Sequence, residues 1–157
     1  MTRRKVAIGA TSGAVFAAAV GLVTNWEGIY TKPYRDIVGV LTVCIGQTAG
    51  DGYDLTRTYT VPECKEMLQK SLVKYDEGMK QCVGREMPDS VHVAFISATY
   101  NIGIQGFCGS SMARHARNGD WRSACDALLM WNRAGGRVVK GLDNRRRDER
   151  KKCLEGI

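Results

Sequence analysis

The chain reads as an α+β protein: one mainly helical domain with a small β-hairpin or sheet, preceded by an N-terminal hydrophobic helix. Three observations carry this. An uncharged stretch runs from Val6 to Thr24, two short β-branched runs surround Gly39, and apolar residues recur at helical spacing through most of the remaining chain. With 157 residues, 44% of them hydrophobic, the chain has the length of a single domain with its own core.

The first element begins with Met1-Thr-Arg-Arg-Lys5, followed by VAIGATSGAVFAAAVGLVT over residues 6–24. Arg3, Arg4 and Lys5 on the cytoplasmic side would place everything after Thr24 in the periplasm. Seven residues are strongly apolar: Val6, Ile8, Val15, Phe16, Val20, Leu22 and Val23. At about −0.3 to −0.6 kcal/mol each they favour insertion by roughly −2 to −4 kcal/mol, largely offset by the interspersed Gly, Ser and Thr. Such a span enters a bilayer and is held there weakly. Gly9, Gly13, Ala17 and Gly21 line one helix face, a spacing that permits close helix packing in a membrane and also arises by chance in any Ala/Gly-rich span. Ala17-Ala18-Ala19 leaves a cleaved signal peptide open as the alternative.

The second element, Tyr34 to Gly46, has the pattern of a hairpin or meander. Thr60-Val-Pro-Glu63 then forms a capping box ahead of a helix carrying Met67, Leu68, Leu72, Tyr75 and Met79 on one side. Another helix starts at Asp89 or Ser90 as N-cap and presents Val91, Ala94, Phe95, Ala98 and Ile102 before Gly103. A further one starts at Asp120, with Trp121, Ala124, Leu128 and Trp131. From Asp143 to Leu154 opposite charges stand three and four apart, the pattern of a solvated helix.

The net charge of +7 calls for a polyanionic partner: nucleic acid, anionic lipid or the acidic polymers of a bacterial wall. The C-terminal charge is mixed in sign and carries no interleaved aromatics, which argues against nucleic acid. Cys44, Cys64, Cys82, Cys108, Cys125 and Cys153 show no C-x-x-C spacing, and His92 and His115 lie far from any cysteine pair, so no metal site and no cofactor is expected. An even count behind an export segment reads as disulfides, with about 15 possible pairings.

Hydrolysis of a glycosidic bond needs one carboxylic acid to protonate the leaving oxygen and a second carboxylate to activate water or attack the sugar. Glu27 stands at the end of the apolar span beside Trp26, where partial burial would favour the protonated acid. Asp36, in Tyr34-Arg35-Asp36, would be kept ionised by Arg35 and solvent. Thr42 would hold a water through its hydroxyl.

The constellation E-x8-D-x5-T, read as Glu27, Asp36 and Thr42, resembles the motif of glycoside hydrolase family 24, the phage lysozymes. The similarity extends over Glu27-Gly28, Gly39, Thr42-Val-Cys-Ile-Gly46, Tyr100-Asn101-Ile102-Gly103, Gly119-Asp120-Trp121, Trp131-Asn-Arg-Ala-Gly-Gly136 and Gly141-Leu142…Arg145-Arg146…Glu149, roughly residues 26 to 154. Cys44 and Gln47 depart from the Gly and His common at those positions. The resemblance implies a lysozyme-like domain over 26–157, with Glu27 as general acid, Asp36 as the second carboxylate, Thr42 as the residue positioning water, and inversion at the sugar. Asn101, Gly103, Arg145 and Glu149 are expected to be structural.

Residues 1–25 resemble the signal-arrest-release segment of some phage endolysins, which are exported tethered and inactive and then escape the membrane. This implies an endolysin cleaving the β-1,4 bond between N-acetylmuramic acid and N-acetylglucosamine in peptidoglycan. It would be held in the host inner membrane by residues 6–24, N-terminus cytoplasmic, and then released to the periplasm as a monomer. Cys44, Cys64, Cys125 and Cys153 fall where related endolysins have cysteines, and Cys82 with Cys108 is expected as an additional pair. No cysteine lies within residues 6–24, so a thiol switch from the span is not available in its simple form, and steric or conformational trapping is the expected inactive state. Two other readings remain: a lytic transglycosylase, which dispenses with the second carboxylate, and a cationic membrane-anchored wall-binding protein.

Overall fold

The computed structural model describes residues 8–36 and 38–157. In chain order the elements are α1 (Gly13–Glu27), β1 (Tyr30–Arg35), β2 (Leu41–Cys44), β3 (Gln47–Thr48), α2 (Val61–Val83), α3 (Asp89–Ile102), α4 (Ile104–Cys108), α5 (Ser111–Arg117), α6 (Trp121–Asp126), β4 (Arg133–Ala134), β5 (Arg137–Val138) and α7 (Lys140–Leu154). Every residue of α3 from Val91 to Thr99 is buried, and a helix without a polar face belongs inside the core. It packs between α1 and α7 and against α2.

The capping box forms as its residues predict: Thr60 N donates to Glu63 Oε2 at 2.7 Å and Glu63 N to Thr60 Oγ1 at 3.3 Å. Met67, Leu68, Leu72 and Met79 of α2 are buried. The segment around Gly39 is a three-stranded antiparallel meander, β1-β2-β3, that begins earlier than its β-branched residues indicate and takes Pro33 into the edge strand. Its register shifts between Tyr30 and Tyr34.

Four expectations need correction. The hydrophobic helix does not precede the domain; it is part of it. Val15, Ala19 and Val23 of α1 are buried in the core against α3, whereas Gly13, Ala17 and Gly21 are exposed, so the small-residue face is turned away from the protein. α1 has 15 residues, and among the described residues no helix is long and apolar enough to cross a membrane. Arg3, Arg4, Lys5 and Val6 lie outside the described residues. The charged C-terminal helix is not solvated all round, because Arg145, Arg146, Glu149 and Cys153 of α7 are buried against α3. Neither Asp89 nor Ser90 caps α3: its N-cap is Pro88, and the Ser90 hydroxyl donates to Cys153 O at 2.9 Å. The helix begun at Asp120 is short, since α6 tightens into a 3-10 turn at Ala127–Met130 and Trp131 only closes that turn.

The six cysteines pair as Cys44–Cys64, Cys82–Cys108 and Cys125–Cys153, so the expected additional pair is present. They join β2 to α2, α2 to α4, and α6 to α7.

Candidate active site

Glu27 is the last residue of α1. The chain turns sharply there because Gly28 takes φ +74°, a left-handed conformation that glycine adopts without steric cost, and its N–H closes the helix on Thr24 O. β1 then runs back along β2 and ends just before Asp36. The meander that carries Asp36 and Thr42 thus follows directly on the helix end that carries Glu27.

The turn between β1 and β2 is organised by Asp36 itself. Its Oδ1 accepts from Val38 N at 3.0 Å and Val40 N at 2.9 Å, while Arg35 Nη1 donates to Gly39 O at 2.9 Å instead of to the carboxylate. Asp36 is thus fixed by backbone N–H groups. Thr42 lies opposite Tyr34 in the sheet, 3% exposed, and its hydroxyl donates to Val40 O at 3.0 Å. With its proton engaged, the hydroxyl oxygen is left as an acceptor.

Burial first, and then the negative charges of Tyr30, Asp36 and Glu27, push the Tyr34 hydroxyl above the ordinary tyrosine range. Tyr30 packs on Tyr34 with ring centroids 4.4 Å apart. On the other side, Tyr100 donates to Ile45 O at 2.5 Å, and burial followed by the Glu27 charge also raises its hydroxyl. Tyr100 lines a depression between the sheet and α2 together with Gly46, Gln47, Tyr53, Lys74 and Tyr75.

The residue that local reading underrated is Arg145. Its Nη1 donates to Glu27 Oε1, its Nε to Glu149 Oε1 at 3.0 Å, and its Nη2 to Ser97 O at 3.2 Å. Arg146 pairs with Glu149 Oε2 at 2.9 Å and donates to Asn101 Oδ1 at 2.8 Å. Two guanidinium groups and two carboxylates balance in this network, which joins α1, α3 and α7. Burial pushes the Glu149 carboxyl up against the pull of both arginines. Trp26 adds a second tie by donating to Asp148 Oδ2 at 2.8 Å. Glu27 is partly buried, as its place at the end of the apolar span implies, and meets the Arg145 guanidinium there. Arg145 and Glu149 were legible as part of G-L-x-x-R-R-x-x-E, but nothing local in the sequence shows that Arg145 reaches Glu27. Among the described residues no group of three His, Cys, Asp or Glu is arranged to hold a metal.

A carboxyl at a helix end, a second carboxylate on the hairpin turn that follows and a hydroxyl on the next strand are the kinds of group that glycosidic hydrolysis requires. The phage lysozyme family model matches residues 24–149. The chain is 39% identical to the "SAR-endolysin" of Bacteriophage PS119, over 98% of this chain and 95% of that one. Among solved structures, a mutant of phage P22 lysozyme superposes with a TM-score of 0.82 at 27% identity, covering 94% of this chain and 99% of that one. The active form of the P1 phage endolysin Lyz gives 0.76 at 27% identity, covering 87% and 83%. The chain belongs to the phage lysozyme family. It is an endolysin of the muramidase type, a hydrolase that lyses peptidoglycan.

Proposed function

We propose that Glu27 protonates the glycosidic oxygen between N-acetylmuramic acid and N-acetylglucosamine while Asp36 activates water or stabilises the developing sugar cation. Thr42 positions that water: its oxygen, with the proton turned to Val40 O, accepts a hydrogen bond and directs the water's lone pair toward the sugar. The reading is supported by the order of the elements: Glu27 ends α1, the β1–β2 turn that follows holds Asp36 by two backbone N–H groups, and β2 carries Thr42 with its hydroxyl proton engaged. Arg145 orients the Glu27 carboxyl and is a positioning residue. The enzyme acts as a monomer on glycan strands.

We further propose that residues 6–24 first hold the chain in the host inner membrane as a weak single span, residues 1–25 serving as a releasable segment ahead of residues 26–157, and that release delivers the enzyme to the periplasm. Support comes from the similarity to SAR-endolysins and from the Ala/Gly-rich, uncharged sequence of the span. Of these residues Gly13 to Thr24 lie in α1 of the folded enzyme, so the chain has one use for them in lipid and another in its core. The Glu27 end of α1 cannot meet Arg145 while the helix is in the membrane.

The test is peptidoglycan digestion by the exported protein and its Glu27→Gln variant, with intact mass and membrane fractionation on the same samples. The expected result is reducing sugar ends from the wild type, a loss of at least about 10²-fold in rate in the variant, and an intact N-terminus that moves from membrane to soluble fraction on depolarisation. Anhydro-sugar products would identify a lytic transglycosylase. Wall binding without cleavage by the wild type would overturn the catalytic assignment, and a mass lacking the segment would reduce it to an ordinary signal peptide.

A further inference from the structure

The depression between the sheet and α2 is a cavity of about 260 Å³, and no role given to Glu27, Asp36 or Thr42 uses it. It is smaller than the roughly 300–1,000 Å³ of a site that encloses a whole small ligand, and fits a side group of a larger one. The meander contributes Gly46 and Gln47, and α2 contributes Lys70, Lys74 and Tyr75. Tyr100 of α3 lines it as well, its ring edge-on to Tyr75 with centroids 5.1 Å apart. The Tyr100 hydroxyl is raised by the charge of Glu27 and also by that of Asp51, another residue of the lining. Gly46 follows Thr42 by four residues, so the two lie no more than about 14 Å apart even at full extension.

The lining is rich in donors that the fold leaves unspent. Lys74 is exposed, its Nζ stands 5.8 Å from the Tyr75 ring centroid, and it makes no ion pair among the described residues. Lys70, one turn earlier, meets Glu66 Oε1 at 3.3 Å with both side chains 70% exposed, a contact that water and other anions readily replace. Gln47 is 1% exposed; its Oε1 accepts from Ile45 N at 2.8 Å, while its Nε2 has no partner among the described residues. Asp51 is the one acid of the lining, and its Oδ2 is taken by Thr48 N at 2.8 Å and Thr48 Oγ1 at 3.1 Å. Two ammonium groups one turn apart on a helix repel each other, so the helix gains nothing from the pair. A carboxylate between them does.

We propose that this depression is a subsite for the acidic peptide that peptidoglycan carries on its muramic acid, with Lys74 and Lys70 pairing the peptide's carboxylates and the Tyr75 and Tyr100 rings packing on its aliphatic part. Lys74 is then a specificity residue: a strand is selected by its peptide as well as by its sugars. The inference rests on the glycan being cut at Glu27, which brings the muramic acid substituents along the meander. Both lysines are held at the rim of the depression by α2, and both keep long, mobile side chains, so their contribution is a screened, exposed attraction that weakens with salt.

The experiment uses soluble glycan strands in three forms: with the peptides intact, with their carboxylates amidated, and with the peptides removed by an amidase. Equilibrium binding is measured with the full chain carrying Glu27→Gln, and turnover with Glu27 intact. Each is combined with Lys74→Met, Lys74→Arg, the pair Lys70→Met and Lys74→Met, and Lys151→Met, which removes one charge from α7 outside the depression. Expected is a Kd about two- to tenfold tighter for intact than for stripped strands, with KM following Kd and kcat steady. That advantage is lost on amidation and in the double lysine variant, reduced in Lys74→Met, and kept in Lys74→Arg and Lys151→Met. Equal affinity for intact and stripped strands would overturn the proposal, as would an advantage that survives loss of both lysines or falls as far in Lys151→Met as in Lys74→Met. A protein that prefers intact strands but cuts none sinks the reading of Glu27 and leaves the subsite standing, whereas one that binds and cuts both forms alike sinks the subsite alone.

Discussion

Arg145 is the residue that holds the Glu27 carboxyl, and its planar fork is what allows it to serve Glu27, Glu149 and Ser97 at once. Arg145→Lys keeps the charge but not the fork, so kcat on peptidoglycan should fall by roughly 10- to 100-fold with the fold retained. Arg145→Met should cost about 3–5 kcal/mol in denaturant unfolding, because it leaves Glu149 buried with one arginine instead of two. Wild-type kcat in Arg145→Lys would show that Glu27 needs no such support. A second residue-scale prediction concerns acid. The backbone N–H of Thr60 first, and then Arg57, hold the Glu63 carboxyl at about 2. A depressed folded value means that this group's contribution to stability is present above its unfolded value near 4.5 and is lost as pH falls toward 2. Between those limits the Tm of wild type should drop more steeply than that of Glu63→Gln, and parallel curves would show that the capping box does not form in solution. At this scale the sequence was readable where contacts are local. Thr60 and Glu63 stand three residues apart and form the capping box that spacing implies, whereas Arg145 meets Glu27 across 118 positions that no periodicity records.

Elements were legible as elements but not always by where they go. α1 and a membrane span satisfy the same requirement, a helix with apolar side chains, so the sequence shows the helix without saying whether lipid or α3 covers it. α7 hid its buried face for another reason: charge averaged over the helix is high, yet Arg145, Arg146, Glu149 and Cys153 share the side that meets α3. Small residues decide how closely α1 can approach. Ala19 is fully buried where α1 meets α3, and Ala19→Leu should overfill that contact at a cost of about 1–3 kcal/mol. The expected Tm loss is roughly 3–10 °C, accompanied by weaker muramidase activity as Glu27 draws away from Arg145. A variant that is equally stable and active would mean that α1 is not packed on α3 in the working enzyme.

Across the whole molecule the three disulfides tie the sheet to α2, α2 to α4 and α6 to α7, closing loops with separations of 20, 26 and 28 residues. In the chain-entropy account each contributes about 3–4 kcal/mol by restricting the unfolded chain. They differ in what they touch. Cys44 takes φ +60°, a left-handed conformation that costs a residue with a Cβ about 1–2 kcal/mol and costs glycine almost nothing. It lies two residues from Thr42 and next to Ile45, whose carbonyl accepts from Tyr100. The Cys82–Cys108 bridge lies at the end of α2, away from the meander. Replacing Cys82 and Cys108 by serine should therefore lower stability with little change in kcat, whereas Cys44→Ser with Cys64→Ser should lower both. The conformational term then separates from the cross-link: Cys44→Gly with Cys64→Ser lacks the bridge equally but is relieved of the backbone strain, so it should be about 1 kcal/mol more stable than the double serine variant and should recover part of the activity. Equal stability of the two double variants in urea would show that the backbone at residue 44 relaxes once the bridge is gone, and that the bridge itself imposes the left-handed turn beside Thr42.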